Sequence, residues 1–171
     1  MFTLRPRADG DLSSCVSLLR AVHDADGYPV HLPEDPASFL TVPDSLGAWV
    51  ALGDGEVIGH VLLRPAMNAK AMAVACGATG LPEERLAVVA RLFVSPRARR
   101  SGVGRALLAR SAHEAWVRRR QPVLDVVGDA TAAVALYERE GWRKAGSVQV
   151  TFSSGTTVDE LVYVGPTDRP A

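Results

Sequence analysis

The chain predicts a single domain of mixed α/β (α+β) class, a mostly antiparallel central sheet with helices packed on it. Three observations predict this. Its 171 residues are 47% hydrophobic and 22% charged, an ordinary globular balance with enough apolar material for one core. Apolar periodicity alternates between the helical and the strand spacing along the chain. No repeat, low-complexity tract or linker divides it, so the expected organisation is one domain over 1–171.

The elements follow in order. Asp11 to His23 places Leu12, Cys15, Val16, Leu18, Leu19 and Val22 at helical spacing behind a capping-type acid, predicting a helix over about 11–24. Residues 24–36 hold prolines, a glycine and acids and read as a loop, with a short helix around Pro36–Leu40. Ala48–Leu52 and Glu56–Leu63 flank Gly53-Asp54-Gly55, a hairpin signal. Residues 65–82 are small and glycine-containing and read as a surface excursion. Leu86–Val94 is apolar on both faces, as a central strand is, and Pro96 stops it. Gly102–Arg119 has helical periodicity, Pro122–Val127 is a short buried strand, and Thr131–Glu140 is a helix ended by Gly141. Val148–Phe152 and Val158–Val164 close the chain as a hairpin around Ser153-Ser154-Gly155.

Composition also excludes. Formal net charge is zero, so nothing global draws the chain to nucleic acid or an anionic membrane. Cys15 and Cys76 make neither a metal spacing nor a disulfide framework, and no metal site is expected. Met1–Arg7 lacks an apolar signal core and no apolar run reaches membrane-spanning length, so the expected location is cytoplasmic. The charge is uneven, however. Residues 97–120 carry eight arginines against Glu114 alone, a local field suited to an anion.

That field surrounds the informative segment, Leu92-Phe93-Val94-Ser95-Pro96-Arg97-Ala98-Arg99-Arg100-Ser101-Gly102-Val103-Gly104-Arg105-Ala106-Leu107-Leu108. A strand ends, an arginine-rich loop follows, and two glycines open a helix. The first helical turn leaves backbone N–H groups without partners at the positive end of the dipole. Glycines there let an anion approach the backbone, and a pyrophosphate suits such a nest. A nucleoside-triphosphatase loop would need Lys-Ser/Thr after its last glycine, where Arg105-Ala106 stands. A dinucleotide fingerprint would need glycine at 107, where Leu107 stands, although Asp125 lies at a suitable distance for a ribose contact.

Arg99-Arg100-Ser101-Gly102-Val103-Gly104 resembles the Arg/Gln-x-x-Gly-x-Gly/Ala signature of the GCN5-related N-acetyltransferase (GNAT) superfamily. One helix and one strand later, Asp129 to Trp142 resembles the superfamily's Asn-x-x-Ala-x-x-Leu-Tyr-x-x-x-Gly-Phe block. The resemblance is sharp over about 86–142. It implies a GNAT-like domain with a splayed parallel strand pair, acetyl-coenzyme A as cosubstrate, and transfer of its acetyl group to a primary amine on a small molecule or peptide. It further implies that backbone at Leu92, Phe93 and Val94 pairs with the pantetheine arm. Arg99, Arg100, Ser101, Gly102, Val103, Gly104 and Arg105 would hold the pyrophosphate, with Asp129 and Ala133 also at the cofactor. Tyr137 matches the tyrosine near the thioester sulfur. A phenol of pKa about 10 can protonate a departing thiolate of pKa about 8.5. A tyrosine packed in an amphipathic helix is the plainer alternative.

Two departures stand out. Ala130 occupies a position where many relatives carry a cofactor-contacting asparagine, so Asp129 substitutes or the contact is lost. The strand over 86–94 carries no glutamate to serve as base, which leaves Glu84 as first candidate, ahead of Glu83, Asp24, Asp26 and His31. His23, His60 and His113 receive no role. The acidic and aromatic loop from Asp24 to His31 suits a cationic acceptor. Neither motif contains a cysteine, which favours direct attack over an acetyl-enzyme. A non-catalytic acyl-coenzyme A sensor with the same fold is the alternative function, and the assembly is expected to be a monomer or homodimer.

Overall fold

The computed structural model describes residues 1–167. In chain order, strand β1 is Thr3–Pro6, helix α1 Leu12–Asp26, α2 Pro36–Leu40, β2 Gly47–Gly53, β3 Glu56–Arg64 and α3 Ala69–Thr79. Strand β4 is Leu86–Val94, α4 Val103–Val117, β5 Gln121–Val127, α5 Thr131–Arg139, β6 Arg143–Thr151 and β7 Thr157–Val164. The sheet order is β1-β2-β3-β4-β5-β7-β6. Pairs β1–β2, β2–β3, β5–β7 and β6–β7 are antiparallel, and β4–β5 is parallel. The chain forms two compact units, one from Met1–Arg64 with Ala90–Ser111 and one from Pro65–Val89 with the chain from Ala112 on.

In the first unit, α1 buries Cys15, Leu18, Leu19 and Val22, the i, i+3, i+4, i+7 stripe expected of an amphipathic helix. Gly27 ends it in the left-handed conformation at φ 71°, donating its N–H to the His23 carbonyl at 2.7 Å. The stripe packs with Leu40, Val50 and Phe93 into one buried cluster. The β2–β3 hairpin turns through Asp54 (φ 51°) and Gly55 (φ 83°), the double positive-φ turn that matches strand twist. Strand β1 was not expected. It pairs Thr3 with Leu52 through Pro6 with Trp49, at the sheet edge where proline is tolerated, and its short polar sequence carries no periodic signal.

In the second unit, residues 65–82 are not the expected surface excursion. The Asn68 side chain accepts the Lys70 N–H at 2.9 Å and caps α3, and Gly80 ends the helix at φ 68°. Alanines favour a helix strongly, and Ala71, Met72 and Ala75 are buried. A Cβ at Gly146 would lie 2.9 Å from a Val74 methyl, so that glycine lets α3 lie close against β6. Strand β6 starts at Arg143 rather than at 148, with a register shift between Lys144 and Gly146. The parallel register of β4 and β5 covers Leu86–Val88 against Gln121–Val123, short of the ends of both strands. Among the described residues, no helix is long and apolar enough to cross a membrane.

Candidate active site

Strand β4 delivers the first part of the site. Inside the strand, Arg91 adopts φ 53°, the left-handed region that non-glycine residues seldom occupy, which marks a bulge. Beyond it Phe93 is buried, and Leu92 and Val94 are half-buried. The Ser95 N–H donates to the Ile58 carbonyl at 2.8 Å, tying the exit of β4 to β3. The Ser95 hydroxyl caps a 3-10 turn over Pro96–Ala98 by accepting the Arg97 N–H.

The chain then reverses through Arg100 (φ 59°) and Gly102 (φ 86°) into α4. The first bond into the helix runs from the Ala106 N–H to the Gly102 carbonyl at 3.0 Å, so the amides ahead of Ala106 have no carbonyl within the helix to reach. Arg97, Arg99, Arg100 and Arg105 are exposed around this turn, which places positive side chains and the positive dipole end together. Helix α4 cannot drift from the sheet, because Val103, Leu107 and Leu108 are buried. A Cβ on Gly59 of β3 would meet Leu107 at 2.8 Å and Val103 at 2.9 Å. Close approach of strand and helix therefore requires glycine at 59.

Two neighbours adjust this half of the site. The Asp26 carboxylate, at the end of α1, is ion-paired with the Arg99 guanidinium, both about two-fifths exposed. Tyr28 in the following loop lies beside Phe93, ring centroids 6.3 Å apart, and the His23 ring nitrogen Nδ1 is 2.8 Å from the Pro29 carbonyl. Asp24 and His31 are exposed.

The second unit holds the other predicted residues. Asp129 is exposed just ahead of α5, whose N-cap position is Ala130 and has no side-chain cap. Ala133 and Tyr137 stand four residues apart and so share a helical face. Tyr137 is buried, with Trp142 and Tyr163 rings 6.2 and 6.0 Å away. The Tyr163 hydroxyl donates to Glu138 at 2.9 Å, and burial together with that carboxylate raises the Tyr163 pKa. Glu83 and Glu84 are exposed in a 3-10 turn ahead of β4, with the whole nine-residue strand between them and the arginine loop.

One family model, the acetyltransferase (GNAT) family, matches residues 16–142. The chain belongs to this family. Its members are acetyltransferases, and the superfamily uses acetyl-coenzyme A to acetylate amines. The fold agrees: a seven-stranded mixed sheet with the parallel pair β4–β5. Similar solved structures include the ribosomal-protein-S18-alanine N-acetyltransferase from Escherichia coli, 19% identical at a TM-score of 0.70 over 100% of this chain and 97% of that one. An N-acetyltransferase from Staphylococcus aureus Mu50 is 16% identical at 0.73, over 96% and 97% of the two chains. Arabidopsis thaliana NAA60, solved with a bisubstrate analogue, is 19% identical at 0.70, over 96% and 98%. At these identities the likeness shows the fold and no more. A comparison with curated proteins finds no match.

Sequence reasoning passed over His60. It is fully buried on β3, its Nε2 3.0 Å from Arg7 Nη1 and its Nδ1 2.9 Å from the carbonyl of Arg91. Burial pushes its pKa down to about 4. The available signal was a single histidine inside the apolar run Val57–Leu63, which marks a position that must find buried partners.

Proposed function

We propose that this GNAT protein binds acetyl-coenzyme A along β4 and the turn into α4, and transfers the acetyl group to a primary amine by direct attack. The turn into α4 carries the reading: two left-handed residues, Arg100 and Gly102, lead into a helical turn whose amides ahead of Ala106 have no acceptor within the helix, with exposed arginines beside it. Such a turn suits the diphosphate of the cofactor. The bulge at Arg91 and the short parallel register of β4 with β5 support a splayed pair whose backbone at Leu92–Val94 takes the pantetheine amides. Asp129 and Ala133 complete the cofactor contacts in this reading. We read residues 1–171 as one acetyltransferase domain, acting as a monomer or homodimer in the cytoplasm.

In the transfer, the amine nitrogen bonds to the thioester carbonyl carbon, and a strand N–H near Val94 stabilises the oxygen that gains charge. The carbon–sulfur bond breaks, and Tyr137 supplies the departing thiolate with a proton. The amine attacks in its neutral form and sheds its proton to water, since Glu84 stands before the start of β4 and the carbonyl lies at its end, near Val94. Direct transfer agrees with the cysteines. Burial pushes the Cys15 thiol up to about 11, and burial with Glu83 and Glu84 raises that of Cys76, so neither is an activated nucleophile. Asp24, Asp26 and Tyr28 favour a cationic acceptor such as a small amine or a peptide amino terminus.

Ala130, where many relatives carry a cofactor-contacting asparagine, and the lack of a glutamate on β4 favour a second reading, a non-catalytic acyl-coenzyme A sensor with the same fold. Calorimetry with acetyl-coenzyme A, followed by thiol release with a panel of primary amines, separates the two. Binding with turnover is expected, and Tyr137→Phe should lower kcat by about 10²–10⁴ with little change in KM. Binding without turnover across the panel would favour the sensor, and no binding would remove both.

A further inference from the structure

The bulge at Arg91 is held from two sides. Its side chain reaches α2, with Nε donating to the Phe39 carbonyl at 3.3 Å and the guanidinium carbon 3.6 Å above the Phe39 ring. Its carbonyl meets His60 Nδ1 at 2.9 Å. The tautomer follows from the other ring nitrogen. Arg7 Nη1 lies 2.6 Å from the Leu40 carbonyl and 3.0 Å from His60 Nε2, and a guanidinium only donates. Nε2 therefore accepts, the ring proton sits on Nδ1, and Nδ1 donates to the Arg91 carbonyl. The imidazole also stacks on Phe93, centroids 5.0 Å apart at 21°. One ring thus touches both the bulge and a residue two positions past it.

We infer that His60, fixed as the Nδ1–H tautomer by Arg7, is a positioning residue that locks the Arg91 bulge and so aims the backbone amides of Leu92–Val94 at the acyl-pantetheine arm. The inference rests on the proposed binding of acetyl-coenzyme A along β4. A left-handed arginine inside a strand is strained and persists only where its surroundings over-determine it. The direction of every amide beyond the bulge depends on that conformation. Losing the Nδ1 donor lets Arg91 relax toward extended backbone and turns the following amides away from the ligand.

Two variants test this, because both remove the ring and its stacking on Phe93 while only one keeps the donor. In His60→Asn the side-chain amide falls where Nδ1 was and still reaches the Arg91 carbonyl. In His60→Gln the amide falls nearer Nε2 and does not. Calorimetry with acetyl-coenzyme A should give a Kd within about threefold of wild type for His60→Asn and about tenfold weaker for His60→Gln. The cofactor KM should follow the same order, with kcat at saturating cofactor moving less. Equal Kd values for the two variants, at similar melting temperatures, would overturn the positioning role and leave His60 a packing residue. Failure of the wild-type protein to bind acetyl-coenzyme A would instead overturn the functional reading and this inference together.

Discussion

Acidification should destabilise this protein through the buried His60. The folded ring stays neutral down to about pH 4, because burial opposes its charged form, whereas the ordinary value is 6.5. Between these values the unfolded chain binds a proton that the folded chain refuses, so stability is fully present above pH 6.5 and is lost as pH falls toward 4. From pH 7 to pH 5 the loss works out at about 2 kcal/mol, against a total of roughly 5–15 kcal/mol for a typical domain. Asp11 is held down to about 2 by its bond to Arg5, so its contribution is present above the ordinary 3.8 and is lost only below this window. Urea denaturation of wild type and His60→Asn at pH 7 and pH 5 reads the effect. Contributions common to both proteins cancel in the comparison. The variant should start less stable and lose about 2 kcal/mol less on acidification. Parallel losses in the two proteins would refute a buried neutral imidazole at 60.

Three further outcomes are expected. Gly59→Val places a side chain where Val103 and Leu107 already sit, which should cost about 1–3 kcal/mol in urea denaturation and weaken acetyl-coenzyme A binding as α4 is pushed off β3. Unchanged cofactor affinity would show that the turn into α4 tolerates that shift. Ala130→Asn supplies the missing cap of α5 and should raise stability by about 1 kcal/mol. A melting temperature that does not rise would mean the residue 130 backbone cannot present a cap. Asp24→Asn together with Asp26→Asn should raise KM for a cationic acceptor, since two carboxylates are removed and one of them is paired with Arg99. An unmoved acceptor KM would dismiss the acidic loop as a determinant.

Helix α1, the β2–β3 hairpin, β4 and α4 were legible in the sequence because each carries its own instruction. Examples are the 3.6-residue stripe from Cys15 to Val22, Gly53-Asp54-Gly55 between apolar runs, and Gly102 opening a helix behind three arginines. Helix α3 was misread because alanine and glycine give almost no hydrophobic contrast, while the cap at Asn68 that decides the matter is a single residue. Strand β1 and the first residues of β6 were missed because pairing, not pattern, makes them strands: Leu4 lies against Ala51 and Arg143 against Val164.

The chemistry divides in the same way. Glycine, arginine and helix-start signals lie consecutively between Leu92 and Leu108, so chain order alone pointed to the family the chain belongs to and to the proposed anion site. Arg91, by contrast, is unremarkable in a string of letters. It becomes a bulge only because His60 and Phe39, 31 and 52 residues away in the chain, hold its carbonyl and its side chain, with Arg7 in turn fixing His60. A local backbone conformation that costs energy must be stabilised by partners distant in sequence, and only tertiary structure assembles those partners.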